Sequence, residues 1–241
     1  MKEALSREQM LLGEEGVAAL ERAHVAVFGL GGVGSYTAEA LARAGVGALT
    51  LVDSDSFSVS NLNRQLGALH STIGRSKAAV MAERVLDINP DCCVTPLPYL
   101  YMEEDKARFF PPEAHYDYVI DAIDLVSAKL SLIVTARERN IPMISSMGTG
   151  NKLEPELLQI ADISKTSVCP LARVMRRELR ARGITHHTVL YSKEPPRTPL
   201  PLEAPPPGRN SVPGSVSWVP SVAGLMLAGY VVRQLAGVSA Q

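Results

Sequence analysis

Four glycines, Gly29, Gly31, Gly32 and Gly34, follow a short apolar run, Val25 to Phe28, and precede a stretch of helical periodicity. Glycines at this spacing allow a tight turn and bring phosphate oxygens against backbone amides at a helix N-terminus. A turn that merely packs a helix on a strand also uses glycines; the strand-turn-helix context favours a nucleotide. Asp53 closes a second apolar run, where a carboxylate can accept hydrogen bonds from ribose hydroxyls. To this point a nicotinamide dinucleotide and ATP fit equally. The next segment separates them: Asp53-Ser54-Asp55, then Asn61-Leu62-Asn63-Arg64-Gln65, then Lys77. A dinucleotide has no need of Arg and Lys on this crossover. A triphosphate does, because charge migrates during displacement at the α-phosphorus. Arg64 and Lys77 supply two cations, Asn63 and Gln65 neutral donors.

Elements that would position these groups alternate along the chain. Strands are expected at Val25–Phe28, Ala48–Val52, Cys92–Leu97, Tyr118–Ile120 and Pro142–Ser145. Helices are expected at Ser35–Arg43, Ser76–Ile88, Met102–Phe110 and Val126–Arg139. This rhythm predicts an α/β fold: a Rossmann-like sheet, parallel in its N-terminal part, with helices on both faces. After Gly150 the character changes. Strands are expected at Leu157–Ile160, Thr188–Tyr191 and Ser215–Val219, and helices at Pro170–Arg182 and Ser221–Leu235. Between Pro195 and Pro213 stand eight of the 17 prolines, so that stretch reads as a loop or ordered crossover. One domain is expected, with residues 1–150 as its nucleotide-binding part and residues 151–241 as a modified C-terminal part.

Composition narrows the classes. With 24 Lys plus Arg against 25 Asp plus Glu, net charge is −1, which excludes a polybasic protein and leaves room for a local basic face. Three cysteines, Cys92, Cys93 and Cys169, form neither a disulfide framework nor a CxxC zinc pair. Cys92 and Cys93 read as buried strand residues. Residues 1–12 lack a signal-peptide core, and the apolar stretch Trp218–Val232 is short of the ~20 residues a membrane span needs. A reducing, cytoplasmic location without a membrane is the expectation.

The ordered set GxGGxG, DxD, NLNRQ, Lys77 and Ile120-Asp121-Ala122-Ile123-Asp124 resembles the ThiF/MoeB and ubiquitin-activating adenylyltransferase superfamily over roughly residues 5–150. The resemblance implies a Rossmann-like homodimer. It implies that Asp53 holds the ATP ribose, that Arg64 and Lys77 hold the phosphates, and that Asp124 holds Mg²⁺. Asp121 is the weaker metal candidate and could instead cap or pair locally. Gly29, Gly31, Gly32, Gly34, Asp55, Asn63 and Gln65 complete the implied nucleotide site. Arg7 is a loose match to an N-terminal arginine that reaches a partner's ATP. Sulfur-carrier adenylyltransferases of the superfamily often carry two CxxC pairs, which this chain lacks.

The C-terminal third is similar to the tRNA threonylcarbamoyladenosine dehydratases in Ala161–Thr166, Pro170–Arg180, Tyr191–Glu194 and Gly214–Gly224. Arg173, Arg176, Arg177 and Arg180 fall at i, i+3, i+4 and i+7, a guanidinium stripe opposite Leu171, Val174, Met175 and Leu179. Such a helix suits a phosphate backbone, although a solvated face has the same pattern. His186, His187, Lys193, Arg197 and Arg209 could extend it. The resemblance implies ATP-dependent cyclisation of threonylcarbamoyladenosine in tRNA through an acyl-adenylate. The alternative is activation of a ubiquitin-like sulfur carrier's C-terminus. Partners implied are the modified tRNA, a second copy of the chain, and sulfur or redox proteins. Cys169, ahead of the basic helix, is a weak nucleophile candidate, and the chemistry demands no cysteine.

Overall fold

The structure, a computed structural model, describes residues 3–202 and 212–238. The apolar runs form β1 (His24–Phe28), β2 (Ala48–Val52), β3 (Cys93–Leu97), β4 (Tyr118–Asp121) and β5 (Met143–Ser146). Two more strands, β6 (Leu158–Asp162) and β7 (Thr188–Ser192), come from the second half. All seven join one sheet in the order β3-β2-β1-β4-β5-β7-β6. Every pairing is parallel except β6 with β7. A strand covered on both faces must be apolar without alternation, and Val25 to Phe28 are all buried. Because β1 is followed by β2 on one side and flanked by β4 on the other, the chain reverses direction of winding at β1. Ligands of such sheets bind outside the carboxyl ends at that point.

Among the described residues, seven helices cover the sheet: α1 (Ser6–Arg22), α2 (Gly34–Arg43), α3 (Lys77–Ile88), α4 (Lys106–Phe109), α5 (Val126–Glu138), α6 (Pro170–Ala181) and α7 (Trp218–Leu235). The larger core gathers Val25, Val27, Leu41, Leu49, Leu51 and Met81 with Leu227 and Val231 of α7. α7 lies against α2 at close range. A Cβ on Gly224 would stand 2.3 Å from the Val33 carbonyl oxygen, and Thr37 Oγ1 donates to the Gly224 carbonyl at 3.1 Å. Only a glycine permits that approach. A second core joins α5 to α6 through Leu130, Ile133, Met175 and Leu179.

Two expectations are corrected. Ser215–Val219 is not a strand: no β-bridge forms there, and Trp218 opens α7. Pro220 sits in that helix's first turn, where its missing N–H costs nothing. Cys93 is exposed, because β3 is an edge strand and its alternate positions face outward; Cys92, just before it, is buried and burial pushes its thiol up to about 11. α1 stands where the sequence pattern predicts no element. Its helix is interrupted at Gly13 (φ 76°); Met10 and Leu11 before the break are exposed, and only Gly16, Val17 and Leu20 after it are buried. Among the described residues no helix is long and apolar enough to cross a membrane.

Candidate nucleotide and acyl-activation site

The glycine turn between β1 and α2 divides its four glycines by role. A Cβ on Gly34 would stand 1.7 Å from the Gly29 carbonyl oxygen, and one on Gly29 (φ 88°) 2.7 Å from that of Ala122. These two close the turn on itself and on the end of β4. Gly31 faces open space, its nearest neighbour being Gln65 Nε2 at 3.7 Å from an added Cβ. Gly32 lies under the ring of Pro220, 3.1 Å from an added Cβ. The turn therefore leaves room in front of Gly31, where a phosphate could meet backbone N–H groups.

That room opens into a cleft of about 420 Å³. Asp53, Asp55, Arg64, Gln65, Lys77 and Asp124 all line it, as do Gly29, Gly31 and Gly32. Asp53 accepts from the Leu30 amide at 2.7 Å with one oxygen and from the Asp55 amide at 2.9 Å with the other. It thus braces the glycine turn. Burial raises its carboxyl from its ordinary value, against the opposing charge of Lys77 and those two amides. Lys77, 5% exposed, donates from Nζ to Asp55 Oδ2 at 2.9 Å, while the Asp55 side chain is 67% exposed. Asp55 is the counter-ion of that buried lysine. Arg64 Nη1 donates to the Ser60 carbonyl at 2.8 Å and to Asn63 Oδ1 at 2.9 Å. Gln65 is buried, and its Oε1 has no hydrogen-bond partner. A buried amide oxygen left without a donor costs about 1–3 kcal/mol, which a polar ligand in the cleft can recover.

The cleft is polar at one end and apolar at the other. Tyr99, Leu100 and Tyr101 follow β3 on the side of Asp53, whereas Arg64 and Pro220 stand over the glycine turn. Tyr101 is fixed by T-shaped contact with Phe28 at 5.3 Å and by hydroxyl contacts with Ser131 and Thr135, both 3.3 Å. A base at the tyrosine end, a ribose at Asp53 and phosphates beneath Arg64 and Lys77 match this gradient.

Asp124 is exposed, three residues past β4 at the cleft wall. Asp121 is not available to a cation. Its Oδ1 accepts from the Ile123 amide at 3.0 Å, and its Oδ2 pairs with Lys129 Nζ at 2.9 Å, both side chains fully buried. Of its two expected roles, the geometry gives local capping and pairing. Lys129 also donates to the Ser146 carbonyl at 2.7 Å, so it ties β4, α5 and β5 together under the turn carrying Asp124. Sequence reasoning missed Lys129. Its only signal is that Lys129 falls between Ala128 and Leu130 on the buried side of α5. Among the described residues no three His, Cys, Asp or Glu side chains gather as a metal site. A single carboxylate beside a phosphate cleft fits Mg²⁺ that is shared with phosphate oxygens, not a cation caged by protein alone.

Other anticipated residues lie outside the cleft. Asn63 does not line it; its Nδ2 donates to the Ser215 carbonyl at 2.9 Å. Arg7 is exposed on the first turn of α1 and Cys169 is buried at the start of α6; neither lines the cleft. On α6 the arginines divide. Arg176 Nη1 donates to the Thr166 carbonyl at 2.9 Å and hydroxyl at 2.6 Å. Arg177 and Arg182 both pair with Glu178, at 2.8 and 3.2 Å. Arg173 and Arg180 are exposed and make no ion pair among the described residues. Nor does His187 extend the patch: its ring is turned inward to Ser145 Oγ at 2.8 Å, and burial lowers its pKa to about 4. Arg197 is engaged with Glu154 and Glu194, Lys193 is exposed, His186 stands 3.3 Å from Asp162, and Arg209 lies outside the described residues.

A larger depression, about 610 Å³, is bounded by Leu130, Val134, Arg137, Arg182 and Ile184. The glycine turn does not open into it, and its Arg137 and Arg182 stand among Glu103 and Glu138, so the chemistry is placed at the smaller cleft.

The sequence matches the ThiF family over residues 5–241. It is 44% identical over 98% of its length to the tRNA threonylcarbamoyladenosine dehydratase of Bacillus subtilis, covering 95% of that protein. The fold matches a crystal structure of the Escherichia coli tRNA N6-threonylcarbamoyladenosine dehydratase in complex with ATP. The TM-score is 0.87 at 34% identity, over 98% of this chain and 95% of that one. Similarity to the Escherichia coli molybdopterin-synthase adenylyltransferase is 33% and spans 59% of this chain and 55% of that protein.

Proposed function

The chain belongs to the ThiF family, and on that premise we propose that it is an ATP-dependent tRNA threonylcarbamoyladenosine dehydratase. One observation carries the reading at the level of this chain's own residues. A buried lysine, an arginine and an orphaned buried glutamine oxygen converge on a glycine turn with open space before it.

The substrate is a carboxylate, on the threonylcarbamoyl group of a modified adenosine in tRNA. Its oxygen attacks the α-phosphorus of ATP, the bond to the bridging oxygen breaks, and pyrophosphate leaves. Arg64 and Lys77 hold the phosphates and meet the charge that builds on the departing group, while Asp53 holds the ribose. Mg²⁺, held by Asp124 together with phosphate oxygens, would neutralise part of that same charge. A carboxylate oxygen leaves poorly; as an acyl-adenylate it leaves as AMP. The ureido group of the same modification then closes on the activated carbonyl. Because nucleophile and electrophile are tethered, orientation supplies most of the advantage. No cysteine is needed in this scheme.

Residues 1–150 serve the nucleotide and residues 151–241 the substrate and the dimer. Arg173 and Arg180, exposed and outside any ion pair among the described residues, are the phosphate-backbone contacts this reading favours; Arg177 is exposed but shared with Glu178. Arg176 serves the fold instead. The working assembly is a homodimer in the cytoplasm, with sulfur or redox proteins as further partners.

The alternative, a sulfur-carrier adenylyltransferase, rests on the shorter similarity to the adenylyltransferases, 59% of this chain for the Escherichia coli protein. Incubation with ATP, Mg²⁺ and either modified tRNA or a sulfur-carrier protein, read by pyrophosphate release, separates the two. Release with tRNA alone is expected. Release with the carrier and not with tRNA would overturn the proposal.

A further inference from the structure

We propose that Asn63 is a latch, a positioning residue that ties the Arg64 guanidinium to residues 212–217, ahead of α7. Occupation of the phosphate end of the cleft and ordering of residues 212–217 are thereby linked. This rests on the reading that phosphates reach Arg64.

One amide makes both ends of the connection. Asn63 Oδ1 accepts from Arg64 Nη1 at 2.9 Å, and Asn63 Nδ2 donates to the Ser215 carbonyl at 2.9 Å, 152 residues away in sequence. An asparagine amide carries an acceptor and a donor in one plane, so it suits a guanidinium on one side and a carbonyl on the other. The far side of the segment is pinned as well. Gly214 donates to Asn151 Oδ1 at 2.7 Å, Asn151 N donates back to the Gly214 carbonyl at 2.7 Å, and Trp218 Nε1 donates to the Leu153 carbonyl at 2.8 Å. Asn151 holds a left-handed backbone (φ 60°), as that reciprocal pairing requires. Ser215 and Pro220 thus form a roof over the glycine turn, with Thr149 beside them, and Asn63 fastens the roof to the phosphate side. Arg64 cannot shift toward a triphosphate without pulling on the same amide that holds Ser215. By linkage, a roof that is held in place also favours the guanidinium position it was built on.

The test is hydrogen exchange of the 212–218 peptide, with and without an α,β-methylene ATP analogue. Binding of the analogue is measured separately by calorimetry. In the wild-type protein the analogue should slow exchange by roughly fivefold or more. Asn63→Asp keeps the acceptor for Arg64 but sets a carboxylate oxygen against the Ser215 carbonyl. It should still bind the analogue and lose the slowing. Asn63→Ala should lose the slowing and also raise the KM for ATP, because Arg64 loses one of the groups that hold it. Wild-type slowing retained in Asn63→Asp would overturn the latch. So would a wild-type protein that binds the analogue without slowing. A wild-type protein that fails to bind the analogue would overturn the nucleotide reading and the latch with it.

Discussion

The cleft above the glycine turn and the outer face of α6 both present basic side chains, and the fold treats them in opposite ways. In the cleft, Lys77 is buried against one carboxylate and Arg64 is held by the Ser60 carbonyl and the Asn63 amide. Their positions follow from backbone turns that little else could form. On α6, four arginines share a spacing and yet have three fates. Arg176 bonds to Thr166, Arg177 shares Glu178, and Arg173 and Arg180 stand in solvent. Helical period fixes which face a residue occupies. It does not fix whether the charge remains for a partner.

Breaking the cleft should have the largest consequence. Lys77→Ala removes the cation proposed to meet the leaving phosphates and should lower kcat by about a thousandfold. Circular dichroism should stay native, since Asp55 is exposed and tolerates the loss of its partner. Near-wild-type turnover would show that buried position carries no catalytic weight. Asp124→Asn should follow, with kcat down by about a hundredfold and a higher Mg²⁺ requirement. An unchanged Mg²⁺ titration would remove Asp124 from the metal role.

The α6 face should respond more gently, and differently within itself. Arg173→Glu with Arg180→Glu should raise the KM for tRNA and flatten its salt dependence by roughly one unit of slope per residue. Arg176→Ala should instead cost about 1–3 kcal/mol of stability through the orphaned Thr166 groups and leave the salt slope alone. If Arg176→Ala flattens the slope and the glutamate pair does not, the division of the stripe is wrong.

The smallest effect on turnover concerns His187. Its folded pKa of about 4 lies below the ordinary 6.5, so the unfolded chain binds more protons between those values. Stability is therefore full above 6.5 and declines as pH falls toward 4, by up to about 3 kcal/mol. Denaturant melts of His187→Asn across that window should show less of this acid loss. An equal loss would assign it to other groups.

The same contrast explains what could be read from the sequence. The glycine turn, the carboxylate closing β2 and the succession of the first five strands were legible because each is a local signal confirmed by its neighbours. Gly34 must be glycine for its distance to Gly29, and that constraint is written in the chain. Lys129 was illegible, because a lysine in a helix is ordinarily solvated and its burial depends on Asp121 arriving from another strand. Ser215–Val219 alternates like a strand but meets no sheet edge, so helix and roof took its residues. α1 is hard to read because Gly13 breaks its period, Met10 and Leu11 face outward, and its buried side reduces to Gly16, Val17 and Leu20. The recurrent failure is long-range partnership, which no period encodes.

The central claim is that this cleft spends ATP to activate a carboxylate on tRNA. Its most direct measurement is mass analysis of nucleosides from modified tRNA treated with the protein, ATP and Mg²⁺, alongside the nucleotides released. The account predicts a threonylcarbamoyladenosine lighter by one water, with AMP and pyrophosphate formed in equal amounts to it. An unaltered nucleoside, or ADP in place of AMP, would contradict it.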